Sequence, residues 1–145
     1  MAEQYTVPNN FKFYVNHIIS TSKDEINQLE QYQRWFDIAY YAFNIPIIIV
    51  GTLSIMLPSI VPTLMSGVQG VYTFINIPEK KMVVEQRIHT LKQLITFLER
   101  EQQFNIDALI GRYVNDEHIL EIKTDDDFEN YILFIEKKVD AVLNS

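Results

Sequence analysis

The sequence predicts an all-α fold: an antiparallel two-helix transmembrane hairpin, extended by a coiled-coil stalk and followed by a C-terminal amphipathic helix. Three observations predict it. Residues 38–78, a run of 41 positions, contain no Asp, Glu, Lys, Arg or His. Apolar residues on both sides of this run, and inside it, recur at alternating steps of three and four. The whole net charge of −7 falls in residues 101–145, because residues 1–100 hold eight acids and eight bases.

The uncharged run is long enough for two spans. A bilayer's hydrocarbon core is about 30 Å thick and a helix rises 1.5 Å per residue, so one span takes about 20 apolar residues. Pro58 and Pro62 stand near the middle, where proline ends or starts helices. The spans are therefore placed at residues 38–57 and 63–77. Trp35, Tyr40 and Tyr41 at the start of the first and Tyr72 at the end of the second come to one depth in a hairpin, as an aromatic belt. Arg34, Lys80 and Lys81 lie just outside it. With no charge in the turn, both termini are expected on the cytoplasmic or equivalent side. The competing reading is a soluble core, but 145 residues leave little chain to cover two helices that are apolar all round.

The elements follow in chain order. Met1 to Asn10 is polar and lacks the apolar region of a cleavable signal. Residues 1–21 form an N-terminal arm, in which Phe11–Ile19 is apolar, aromatic and too short to span. Ser22 and Glu25 read as a capping box, so the first long helix is expected from Ser22 to Leu57. Its seam is Ile26, Leu29, Gln33, Phe36, Tyr40, Phe43, Ile47, Val50, Ser54 and Leu57. The second helix is expected from Thr63 to about Gln103, with the seam Gly67, Gly70, Phe74, Ile77, Lys81, Val84, Ile88, Leu91, Ile95 and Leu98. Alternation of three and four keeps one stripe against a neighbour in a left-handed pair. Helices of about 54 and 60 Å outreach a bilayer by roughly 20–30 Å, hence the stalk within residues 22–103. Ser54, Gly67 and Gly70 are small enough for close helix packing in lipid. Pro46 is expected to kink the first span.

Residues 104–145 form an acidic helical segment. Ile106–Tyr113 reads as a short helix stopped near Gly111 or Asn115, and His118–Lys123 as a strand or turn. Thr124 followed by Asp125, Asp126 and Asp127 caps a final helix, since acids suit the positive end of the helix dipole. Its stripe is Phe128, Ile132, Ile135, Val139 and Val142. Such a helix is expected to cover its own chain's core, or to bind a partner protein.

Little points to chemistry. There is no cysteine, so disulfides, thiolate metal sites and thiol catalysis are excluded. His17, His89 and His118 show no ligand spacing, and no metalloprotease, phosphate-loop, nucleophile-elbow or dinucleotide fingerprint occurs. The Asp125–Asp127 run lacks calcium-loop spacing. No basic patch interleaved with aromatics suggests nucleic acid. No enzyme, cofactor or metal is expected. The expected partners are the lipid bilayer, proteins held by the stalk, arm or final helix, and further copies of the chain.

Two resemblances bear on function. The hairpin with Trp35-Phe36-Asp37 entering the first span, a glycine-bearing second span and the helix 79–103 resembles the SLATT family over roughly residues 22–103. That likeness implies a two-span protein that forms pores. The run Asn44-Ile45-Pro46-Ile47-Ile48-Ile49-Val50-Gly51-Thr52 is similar to spans in small hairpin proteins of large DNA viruses. It implies a minor capsid protein tying a capsid to the virion's internal membrane. The favoured expectation is a non-enzymatic structural anchor linking a membrane to a protein assembly. A pore-forming effector is the alternative, with Asn44, Ser54, Thr63, Gln69 or Thr73 facing water. It ranks second because these polar residues do not fall on one clean face of the expected helices. A soluble oligomeric coiled-coil adaptor comes third.

Overall fold

A computed structural model describes residues 8–53, 61–107 and 111–145. The described chain is mostly helical: α1 (Asn9–Leu53), α2 (Val61–Ile75), α3 (Ile77–Glu101), a π-helical segment (Gln102–Asp107), and α4 (Asp125–Leu143). Between the π segment and α4, strands β1 (Arg112–Asn115) and β2 (His118–Glu121) add a small antiparallel hairpin to the expected all-helical chain. The residues divide into two compact units, Met1–Ile26 with His89–Ser145, and Asn27–Ile88.

In the first unit, α1 begins well before the expected capping box. The Pro8 carbonyl accepts the N–H groups of Phe11 at 3.1 Å and Lys12 at 3.3 Å. Proline is suited to a helix entry because its missing N–H would have no partner there. The boundary expected at residue 22 thus falls inside α1. Phe11, Val15, Ile19, Ser22 and Ile26 form one buried stripe at helical spacing. Ser22 is no cap: its hydroxyl is buried and has no partner among the described residues. Leu91, Leu94, Ile95 and Leu98 of α3 and Phe128, Tyr131, Phe134, Ile135 and Val139 of α4 complete the core. Phe11 meets Phe128 at 5.8 Å and Tyr131 at 6.1 Å, both edge to face, and Phe97 meets Phe134 at 6.0 Å. The final helix therefore covers its own chain, with Tyr131 and Phe134 added to the expected stripe.

The expected helix at Ile106–Tyr113 is not formed. Its first residues belong to the π segment, 108–110 lie outside the described residues, and Tyr113 is in β1. Gly111 has φ +71°, and a Cβ there would lie 2.9 Å from the Ile122 carbonyl oxygen. The Gly111 carbonyl in turn accepts the Ile122 N–H at 2.6 Å. Asp116 (φ 45°) and Glu117 (φ 69°) make the two-residue turn between the strands. Both central residues with positive φ mark the turn type that suits the strand twist. Thr124 caps α4 as the sequence predicts: its hydroxyl accepts the Asp127 N–H at 3.2 Å, and the Asp127 carboxylate accepts the Thr124 N–H at 3.1 Å.

In the second unit, Asn76 splits the expected second helix. It adopts φ 51°, a left-handed conformation that asparagine tolerates better than most residues. Its N–H donates to the Tyr72 carbonyl at 3.2 Å, closing α2, and its carbonyl accepts the Lys80 N–H at 3.2 Å, opening α3. Its side-chain amide also donates to Glu79. Pro78 stands two residues on, in the first turn of α3, where its missing N–H would have no helical partner.

Candidate functional site

The second unit carries the feature with functional content: a surface without charge. From Ile38 to Leu53, α1 offers only apolar, aromatic, small and amide side chains, and α2 carries no charge at all. Ile48 is 67% exposed, Ile49 53% and Leu64 56%. Soluble monomers rarely leave a large contiguous apolar surface open. Among the described residues, α1 is the one helix long and apolar enough to cross a membrane, and none of its apolar window is buried. Helix α2, with 15 described residues, is about 22 Å long.

The contacts between these helices run in antiparallel order. Gln33 donates to Glu85 at 3.2 Å, Lys81 pairs with Asp37, and Tyr72 packs against Tyr40 at 6.4 Å and Phe43 at 5.9 Å. Along α1 the half-buried positions include Gln33, Phe36, Phe43, Ile47 and Val50, members of the expected seam, while Tyr40 is more open. On α3, Ile77, Lys81, Val84 and Ile88 also keep their expected places. Helix α2 does not. Its shielded residues are Met65, Val68, Tyr72 and Ile75, whereas Gly67 and Gly70 are exposed. A Cβ built on either glycine meets nothing within 4 Å. The seam was drawn through one continuous helix, and the left-handed residue at Asn76 resets the helical phase.

Helix α2 leaves its polar side chains in the open. Thr63, Ser66, Gln69 and Thr73 are all exposed, while Met65, Val68, Tyr72 and Ile75 are shielded. On α1, Asn44 is satisfied internally, its amide donating to the Tyr40 carbonyl at 2.7 Å, as Thr52 donates to Ile48 at 2.9 Å.

Of the expected interface residues, the structure gathers Tyr40, Tyr41 and Tyr72, with Tyr40 and Tyr41 rings 5.6 Å apart edge to face. Trp35 is 67% exposed, and Arg34 and Lys80 are exposed beside the same end of the uncharged surface. Lys81 is half-buried, and its hydrogen bond to Asp37, with the attraction of Asp37 and Glu85, holds its ammonium above the ordinary lysine range. Asp37 as the mate of Lys81 was not singled out from the sequence. A signal existed: Asp37 and Lys81, like Gln33 and Glu85, stand symmetrically about position 59, where an antiparallel hairpin would fold. Ser54 lies outside the described residues.

The first unit has one buried polar cluster. The Glu101 carboxylate accepts the Asn105 amide at 2.6 Å and the Tyr131 hydroxyl at 3.0 Å, both on one oxygen. The Asn105 carbonyl accepts the Arg112 backbone N–H at 2.9 Å. This ties the π segment to α3, α4 and β1 with each buried group satisfied, as a buried carboxylate requires. No group of three or more metal-ligating residues occurs among the described residues. No protein-family model, curated protein or solved structure matches this chain.

Proposed function

We propose that this chain is a non-enzymatic membrane anchor. The uncharged parts of α1 and α2 lie in lipid as an antiparallel two-span hairpin, and the first unit stands in water to hold a protein assembly. The observation that carries the reading is the open, uncharged surface of α1 and α2, bounded at one end by Trp35, three tyrosines and the Asp37–Lys81 pair. Tyrosine and tryptophan favour the headgroup level, and a paired lysine there keeps its charge near water. Both termini then share the cytoplasmic or equivalent side. A virion's internal membrane, with a minor capsid protein's role, is one setting that fits. The test is fractionation of expressing cells with alkaline carbonate, with a cleavable tag on each terminus. The anchor predicts a pelleted protein and both tags cut from one side. Release into the supernatant overturns it in favour of a soluble oligomeric adaptor.

One observation favours a second reading. The exposed Thr63, Ser66, Gln69 and Thr73 of α2 suit an oligomer whose α2 helices line a shared polar path, as in a pore-forming effector. Ion flux from loaded vesicles carrying the purified chain separates the two. Flux that Gln69→Leu abolishes marks a pore, and intact vesicles mark an anchor.

A further inference from the structure

The first unit contains an open groove of about 810 Å³ between α3, β1 and α4, within the size range of small-molecule sites. Its floor is aromatic. Phe97 and Phe134 pack at 6.0 Å, and Tyr113 lies 5.0 Å from Phe134. Exposed Phe104 also lines it. Such a floor takes apolar ligand surface well.

Its charge has the opposite sign to its surroundings. Residues 101–145 contain eleven acids and four bases. Two of those four bases, Arg112 and Lys138, line this groove, and Arg100 joins them from α3. The Arg100 guanidinium sits 5.7 Å from the Phe97 ring centre, and the Lys138 ammonium 5.8 Å from that of Phe134. Each cation is thus held beside the apolar floor by the ring beneath it. Glu101, the acid that also lines the groove, is occupied by Tyr131 and Asn105. Arg112 meets Glu121 at 3.4 Å, and a guanidinium has five N–H donors, so further acceptors can be bound.

The charges are arranged lengthwise. Arg100 lies beside Glu101, whose partner Asn105 accepts the Arg112 backbone N–H, so both arginines leave the backbone at the Glu101–Asn105 end, while Lys138 stands farther along, between Phe134 and Val142. From there α3 continues through Phe97 and Leu94 to Thr90, and α4 through Phe134 to Val142. Arg100 to Thr90 covers about 15 Å of helix, comparable to a medium-length acyl chain.

We propose that this groove binds a free single-chain amphiphile with one acidic head, of the fatty-acid class. The head meets Arg100 and Arg112, and the chain lies along Phe97, Phe134 and Val142. Carboxylate recognition by paired guanidinium groups is directional and charge-assisted.

The test uses the full chain in phosphatidylcholine nanodiscs with Trp35→Phe and Phe104→Trp, which places the single tryptophan in the groove. The probe is 2-bromododecanoate, whose bromine, next to the head group, quenches a tryptophan at position 104 beside the arginines. The expected result is saturable quenching that unlabelled dodecanoate reverses. Arg100→Gln with Arg112→Gln should weaken it at least tenfold, Arg100→Lys with Arg112→Lys should keep most of it, and Lys137→Gln, outside the groove, should leave it unchanged. Equal quenching by 2-bromododecanol overturns the proposal, because the groove would then read only apolarity. So does quenching by chain-brominated phosphatidylglycerol in the disc without quenching by the free acid, which would make the ligand a bilayer lipid. Absence of saturable quenching also overturns it.

Discussion

Glu117 holds φ 69° in the turn between β1 and β2, where a residue with a side chain is strained by about 1–2 kcal/mol. Glycine carries no such strain and is preferred in this turn. Glu117→Gly should therefore raise the stability of the first unit by about 0.5–1 kcal/mol, read as a higher urea midpoint. Asp127 makes a pH prediction. Hydrogen bonds from the Lys123 backbone N–H and then from Thr124 hold its carboxyl below the usual aspartate range. A depressed folded-state value adds stability that is complete above the unfolded value, near pH 4. That stability is lost as pH falls through the lower folded value. The midpoint of α4 unfolding should drop between pH 5 and pH 2, and Asp127→Asn should shrink that drop. An equal drop in the variant would show that the cap is not the acid-sensitive part. The cap was legible in the sequence because threonine three residues before an acid, ahead of an apolar stripe, is a local signal. The false cap at Ser22 carried the same local signal. It failed because Phe11, Val15 and Ile19 extend the buried stripe upstream, so tertiary burial sets the helix start.

At the scale of elements, the helices were legible wherever the spacing of apolar residues was unbroken, as in α1, α3 and α4. The strands were less so. Arg112–Asn115 and His118–Glu121 are four residues each, too short for alternation to register, and only His118–Lys123 hinted at one. The break at Asn76 was missed because alternation of three and four runs on through it, while the physical stop comes from Asn76 and Pro78. This has a measurable consequence. The chain contains no cysteine, so pairs can be introduced cleanly. Cysteines at Phe43 and Tyr72 should be joined by a short bifunctional thiol reagent in the native protein, because these side chains face each other with rings 5.9 Å apart. Cysteines at Phe43 and Gly70 should not, because Gly70 faces away. The reverse result would restore the register of an uninterrupted helix. Replacing Asn76 and Pro78 together by alanine should abolish the first cross-link by straightening the join.

For the whole molecule, the sequence showed best what concerns charge. A run of 41 positions without a charge was enough to locate the surface that sets this chain apart, and its aromatic and charged rim followed from position alone. The groove of the first unit was not legible. It depends on α3, β1 and α4 meeting, and on Arg100, Arg112 and Lys138 converging from distant parts of the chain. The buried Glu101–Tyr131–Asn105 cluster was hidden for the same reason: Glu101 stands in the charged run Glu99-Arg100-Glu101, where nothing local marks it as buried. Removing the Tyr131 hydroxyl with Tyr131→Phe should destabilise the first unit by about 1–3 kcal/mol, the cost of a lost bond to a buried charge. A urea titration reads this, and a change under 0.5 kcal/mol would show that the cluster adds little.

The central claim is that the uncharged surface of α1 and α2 lies in lipid. The most direct measurement is a nitroxide scan, with single cysteines placed along residues 38–53 and 61–75 of the chain in nanodiscs, recording accessibility to oxygen and to a nickel chelate. The account predicts that labels at Ile45, Ile48, Ile49, Leu64 and Val71 meet oxygen and exclude nickel, with the contrast fading toward Trp35 and Lys80. Uniform access to nickel along both helices would place that surface in water and contradict the account.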